Sequence, residues 1–181
     1  VEAPPPKHRR LEDTASVASL LSKAQSMPLP DGIRKERIRR ADELARLLLE
    51  RDTEITSHDV TTVLHQWGFS SNTHRTAVTP PPMTAVPSDT LGAVRMKGRW
   101  FVTDATRQAP NMARLLVRYL HQRLPGFPVK AVCINGMYCC RLHIDGANTG
   151  PSAIQAFGDF EGGYLSDAYA YTGGPLEAIG D

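Results

Sequence analysis

Four prolines between residues 80 and 87 (Pro80, Pro81, Pro82 and Pro87) split the sequence into two parts with different hydrophobic periods. Proline fixes φ and donates no amide, so such a run reads as a connection rather than a packed element. Before it, apolar residues recur at three and four. After it, short β-branched and aromatic runs alternate with glycine-rich turns. The pattern predicts an α+β chain: a basic, proline-rich disordered tail over 1–13, a helical segment over 14–69, a linker over 70–90, and a β-rich part over 91–181.

A chain of 181 residues can hide roughly 70% of its unfolded surface, enough for a real core. No apolar run approaches the roughly 20 residues of a membrane span. The first ten residues lack the apolar centre of a secretion signal. Cys133, Cys139 and Cys140 form a poor disulfide framework and suit a reducing interior, so an intracellular location, cytoplasmic or nuclear, is expected. Charge is uneven behind a net +2. Residues 76–128 hold seven Lys and Arg against two Asp and Glu, whereas residues 129–181 hold two against six. A basic middle can steer an anionic ligand or attract the acidic end.

Three helices are predicted before the prolines. Val17, Leu20, Leu21 and Ala24 share the first. Asp31 can cap the second, whose stripe is Ile33, Ile38, Ala41, Leu44, Ala45 and Leu48. Thr56-Ser57-His58-Asp59 is a near capping box for the third, which carries Val60, Val63, Leu64 and Trp67, with Gly68 placed to close it. Arg34, Lys35, Arg37, Arg39 and Arg40 on the second helix invite a nucleic-acid or partner reading. No aromatic residue interleaves there, and Glu36 stands four before Arg40, so a solvated face with internal ion pairs is the simpler expectation.

Beyond the linker, Arg99-Trp100-Phe101-Val102 reads as a strand. Pro110 opens a helix striped by Met112, Leu115, Leu116, Tyr119 and Leu120, and residues 124–128 end it. Further strands are expected over 129–134, 137–144 and 152–157. His143 and Asp145, two apart, project from one face of a strand. An imidazole and a carboxylate so placed can grip a divalent metal. The same spacing also arises in a surface turn that Asp145 opens by bonding its own backbone. The cysteines are expected as buried small hydrophobes, since their spacing is not that of a zinc site.

The wider segment adds to the metal reading. Asn135, Tyr138, His143 and Asp145 are followed by Asn148, Gly150, Pro151 and Ser152, then by Gly158, Asp159, Gly162, Gly163 and Leu165. This order resembles the metal-entry strand of iron(II)/2-oxoglutarate-dependent dioxygenases. It is similar to a version in protist and algal proteins near the prolyl-hydroxylase-like and thymine/methylcytosine hydroxylase groups. The preceding helix and the Pro125-Gly126-Phe127-Pro128 turn fit it as well. The resemblance covers roughly residues 110–165. It implies a partial double-stranded β-helix, with His143 and Asp145 as two of three iron(II) ligands and 2-oxoglutarate as co-substrate. Tyr138 and Arg141 are the candidate co-substrate contacts, although Arg141 can equally pair with Asp145. The implied substrate is a peptide side chain or a nucleobase.

The family also needs a later histidine and a cation beyond it, whereas residues 146–181 contain no His, Lys or Arg. A fragment, a degenerate relative, or a site completed by His121 or His74 would each account for this. The expectation is a dioxygenase-like chain with little or no turnover of its own. The alternative is a non-catalytic module whose N-terminal helices bind protein or nucleic acid.

Overall fold

The computed structural model describes residues 29–79, 81, 83–136 and 150–159. The first expected helix and the strand expected over 137–144 lie outside the described residues.

Helix α1 spans Asp31–Glu50 and buries Ile38, Ala41, Ala45 and Leu48. The intervals of three and four place these on one stripe, and two alanines let another helix approach closely. Ile33, expected on this stripe, is instead exposed. Asp31 is not the cap either: Pro30 holds that position without a side-chain bond, and Asp31 is the first helical residue. There its charge complements the positive end of the helix dipole.

Helix α2 spans Ser57–Gln66 and has the expected capping box, with Thr56 and Asp59 bonding each other's backbone amides. Burial alone would push the Asp59 carboxyl up. Hydrogen bonds from the Thr56 amide, Arg51 and the Thr56 hydroxyl together hold it below its ordinary value. Gly68 does not supply a left-handed cap. Trp67 ends the helix in extended conformation, and a Cβ on Gly68 would lie 2.7 Å from the Arg34 carbonyl. The glycine lets the chain cross α1 closely.

The stretch 70–90 is more than a connection. It holds strand β1, Ser71–Asn72, and the first residues of strand β2, Val86–Met96. Pro87 sits one residue inside β2, near the start, where a missing amide is tolerated, and its carbonyl accepts from Gly136 at 2.7 Å. Strand β3, Arg99–Val102, is the strand expected there, and it follows a two-residue turn. Helix α3 covers Asp104–Gln108, and Thr103 caps it. Helix α4, Pro110–Arg123, has proline in its first turn and buries Met112, Leu115, Leu116 and Tyr119. Strand β4 is Ala131–Asn135. Residues 152–157, expected as a strand, carry no regular structure. They have no ladder partner among the described residues. Instead Gln155 accepts from the Tyr119 hydroxyl and Phe157 packs against the Tyr119 ring.

β2 pairs antiparallel with β1, β3 and β4. Ala93 donates its amide to Lys130 on the β4 side, while the Gly92 carbonyl accepts from Thr103 on the β3 side. N–H and C=O of one peptide point in opposite directions, so β3 and β4 lie on opposite edges of β2. Leu91 and Ile134 then join the helix side chains in one buried cluster, together with Ile55 and Trp67. The result is an antiparallel sheet with helices on one face, an α+β arrangement.

Helices α1 and α4 complete each other. Asp42 of α1 accepts from the amides of Asn111 and Met112 at 2.7 and 3.0 Å, capping α4 from outside. Arg118 of α4 donates to the carbonyls of Leu49 and Thr53, closing the end of α1. Both links run between successive positions, so the helices lie side by side in the same sense.

Gly92 has φ +110°, and a Cβ there would meet the Lys130 carbonyl at 2.3 Å. Gly98 has φ +80° and open space around it. Gly92→Ala should therefore cost more than about 3 kcal/mol, against about 1 kcal/mol for Gly98→Ala. Urea unfolding of the two variants should show this order.

Candidate functional site

β4 leads into the segment that holds the expected metal pair, and its two faces differ. Ile134 is buried and Val132 packs against the core. Ala131, Cys133 and Asn135 alternate with them and are exposed. Directly opposite on β2 stand Gly92, Thr90 and Ser88. Residues paired across a ladder share a face, so the face away from the helices is built of small and polar side chains. Arg75 crosses it, donating to Asn135 Oδ1 at 2.8 Å and lying 3.4 Å from Cys133 Sγ. Asn72 donates to Ser88 Oγ. The expectation of a buried Cys133 is thus corrected: alternation turns its thiol outward, while Cys139 and Cys140 lie outside the described residues.

Tyr138, Arg141, His143 and Asp145 also lie outside the described residues. Among the described residues no three His, Cys, Asp or Glu side chains gather as a metal site. His121 has its Nε2 3.0 Å from the Phe127 carbonyl, bracing the turn from α4 to β4. The His74 amide donates to Asn72 Oδ1. A cavity of about 40 Å³ lies between α4 and the sheet, lined by Leu91, Ala113, Val117 and Val132 among others. It is apolar and holds one or two waters' volume at most, so it is a packing defect rather than a ligand site.

The basic run of α1 is largely engaged within the fold. Arg39 and Arg40 both bond Glu36, the latter at 2.7 Å. Arg37 donates to the carbonyls of His65 and Gln66, closing α2. Arg34 donates to Ser70 Oγ at 2.6 Å and reaches Asp89 at 3.4 Å. Lys35 is exposed. The expected Glu36–Arg40 pair is present, whereas Arg34 and Arg37 leave the expected solvated face to bond other segments.

Asp89 was not foreseen. Its carboxylate is buried, yet it accepts from Trp67 Nε1, the Ser70 amide and the Ser70 hydroxyl, with Arg34 alongside. An aspartate beside prolines reads as a turn in sequence, and nothing local signals a buried acceptor. The β2–β3 hairpin was also passed over. Met96, Trp100, Phe101 and Val102 are exposed there, among Arg95, Lys97 and Arg99. Its signal, three cations at alternate positions followed by two rings, is legible in the sequence.

No family model matches the chain, and no curated protein or solved structure resembles it detectably. Among the described residues, no helix is long and apolar enough to cross a membrane.

Two outcomes follow. Asp89→Asn turns an amide NH₂ toward one of two donor sets, and should cost about 2–3 kcal/mol in urea unfolding. The Glu36 carboxyl, hydrogen-bonded by Arg39 and Arg40, is held at about 2 against its usual 4.5. What this pairing adds to stability is present above pH 4.5 and fades as pH falls through the lower value. Carboxyl-carbon NMR should find the Glu36 midpoint near 2, and Arg40→Gln should raise it.

Proposed function

We propose that this chain is an iron(II)/2-oxoglutarate dioxygenase-like protein whose β-rich part forms a partial double-stranded β-helix. His143 and Asp145 are its metal ligands. The observation that carries the reading is the two-faced ribbon at its entry. Helix α4, its closing turn and strand β4 follow in the order the resemblance implies. One face of the sheet is apolar and covered by helices, and the other is small, polar and uncovered by them. A stacked-sheet oxygenase needs such a face, because its polar ligands and co-substrate lie between sheets rather than against helices.

In this reading iron would supply the activation of dioxygen, which no side chain can perform. Two protein ligands hold a metal more weakly than three. Residues 146–181 also offer no cation to pair with the far carboxylate of 2-oxoglutarate, a role suited to a bidentate arginine. Metal binding without appreciable turnover is therefore the expected behaviour of these 181 residues. The alternative, an interaction module built on the N-terminal helices, has less behind it: five of the six cations on α1 are engaged within the fold.

Anaerobic titration with Fe(II) or Mn(II) should give one weak site, lost in His143→Ala and in Asp145→Ala. Identical binding by wild type and both variants would overturn the assignment of the pair. Steady succinate release from 2-oxoglutarate by the wild-type chain would overturn the incomplete chemistry and leave the ligands standing.

A further inference from the structure

The β2–β3 hairpin leaves the body of the protein. β4 pairs with β2 only as far as Gly92; Ala93 still donates to the Lys130 carbonyl, and beyond it Val94–Met96 pair with β3 alone. Trp100 is 54% exposed and Phe101 47%, which is unusual for the largest apolar side chains in a strand. Three cations, Arg95, Lys97 and Arg99, precede them at alternate positions, and residues 90–103 include no Asp or Glu. None of the three forms an ion pair among the described residues. Lys130 adds a fourth, its Nζ 4.9 Å from the centre of the Trp100 ring.

The turn itself is strained for its sequence. Lys97 and Gly98 have φ of 48° and 80°, the pattern of a type I′ turn, which favours Asn or Gly at both places. Lysine in the left-handed region costs stability, yet it puts a charge at the tip.

We infer that this hairpin is a docking surface for single-stranded nucleic acid. Four cations, without an acidic partner among the described residues or facing a ring, match a phosphate chain, and exposed rings offer stacking platforms to bases that are not already stacked in a duplex. Cross-strand pairing sets Arg95 beside Trp100 and Arg99 beside Met96. Neither face of the ribbon is therefore free of charge, as a lipid-inserting surface would need to be. Trp100 and Phe101 are neighbours in sequence, so their rings stand on opposite faces, and a flexible single strand can use both. This assignment does not depend on the iron-ligand reading.

Fluorescence anisotropy of a labelled oligothymidylate of about 16 nucleotides with the full chain tests it. Binding should weaken with salt, with a log–log slope of about −3 for four phosphate contacts. Trp100→Ala should weaken binding about tenfold. Lys97→Asn should reduce the slope by about 0.7 while leaving the melting temperature unchanged or higher, so that loss of binding is separated from loss of fold. Three results would overturn the inference. One is equal affinity of wild type and Trp100→Ala. Another is tighter binding of a duplex of the same length. The third is flotation with phosphatidylserine vesicles in the absence of oligonucleotide binding.

Discussion

The buried carboxylate of Asp89 is the constraint around which the described structure is assembled. A carboxylate out of water is unfavourable unless its oxygens are filled. Here the donors come from three places: Trp67 at the end of α2, Ser70 before β1, and Arg34 on α1. β2 can take its place under the helices only when those segments are already beside it. The acid therefore favours one arrangement of helices over the sheet, where hydrophobic contact alone would accept several. Gly68 belongs to the same arrangement, since a side chain there would hold the chain away from Arg34.

What the sequence discloses here depends on how local the cause is. The capping box at Thr56 and Asp59 and the α4 stripe from Met112 to Tyr119 rest on spacings within one helix, and both are found as expected. Strand β2 rests on distant partners. Its residues include Pro87, Asp89 and Gly92, each a turn former on its own, and its inward face is completed by Trp67 and Ile134. A window of neighbouring residues therefore reads its first part, to residue 90, as a linker. Caps that arrive through space, such as Asp42 on α4, are illegible for the same reason: the donor amides stand 69 and 70 residues from the acceptor. The candidate metal pair is a different case. It rests on a sequence resemblance, and the structure bears only on the ribbon that leads into it.

The cations divide along a physical line that composition does not show. Those of α1 lie near helix ends and acidic neighbours, so carbonyls and Glu36 claim them. Those of the hairpin have no acid near them along the strand, and one of them, Arg95, stands opposite Trp100 instead. A dense basic run is thus the weaker guide to an anionic partner. Sparser cations next to aromatics, on an element that leaves the core, remain accessible to one.

Gly92 connects these features. It lies where β2 stops pairing with β4 and begins to pair with β3 on the opposite edge, and its amide and carbonyl are both tied to Thr106 in α3. The left-handed backbone there changes the course of the strand without breaking it. On one side of this residue β2 is fixed into the core through Asp89 and Leu91. On the other side the same strand runs out to Met96 and the charged tip. The projecting hairpin is therefore anchored by backbone bonds to a helix rather than hung on a loop, which gives its rings and cations a defined orientation before any partner arrives. Preorganisation of this kind lowers the entropy cost of binding, and it depends on a residue whose side chain is a single hydrogen.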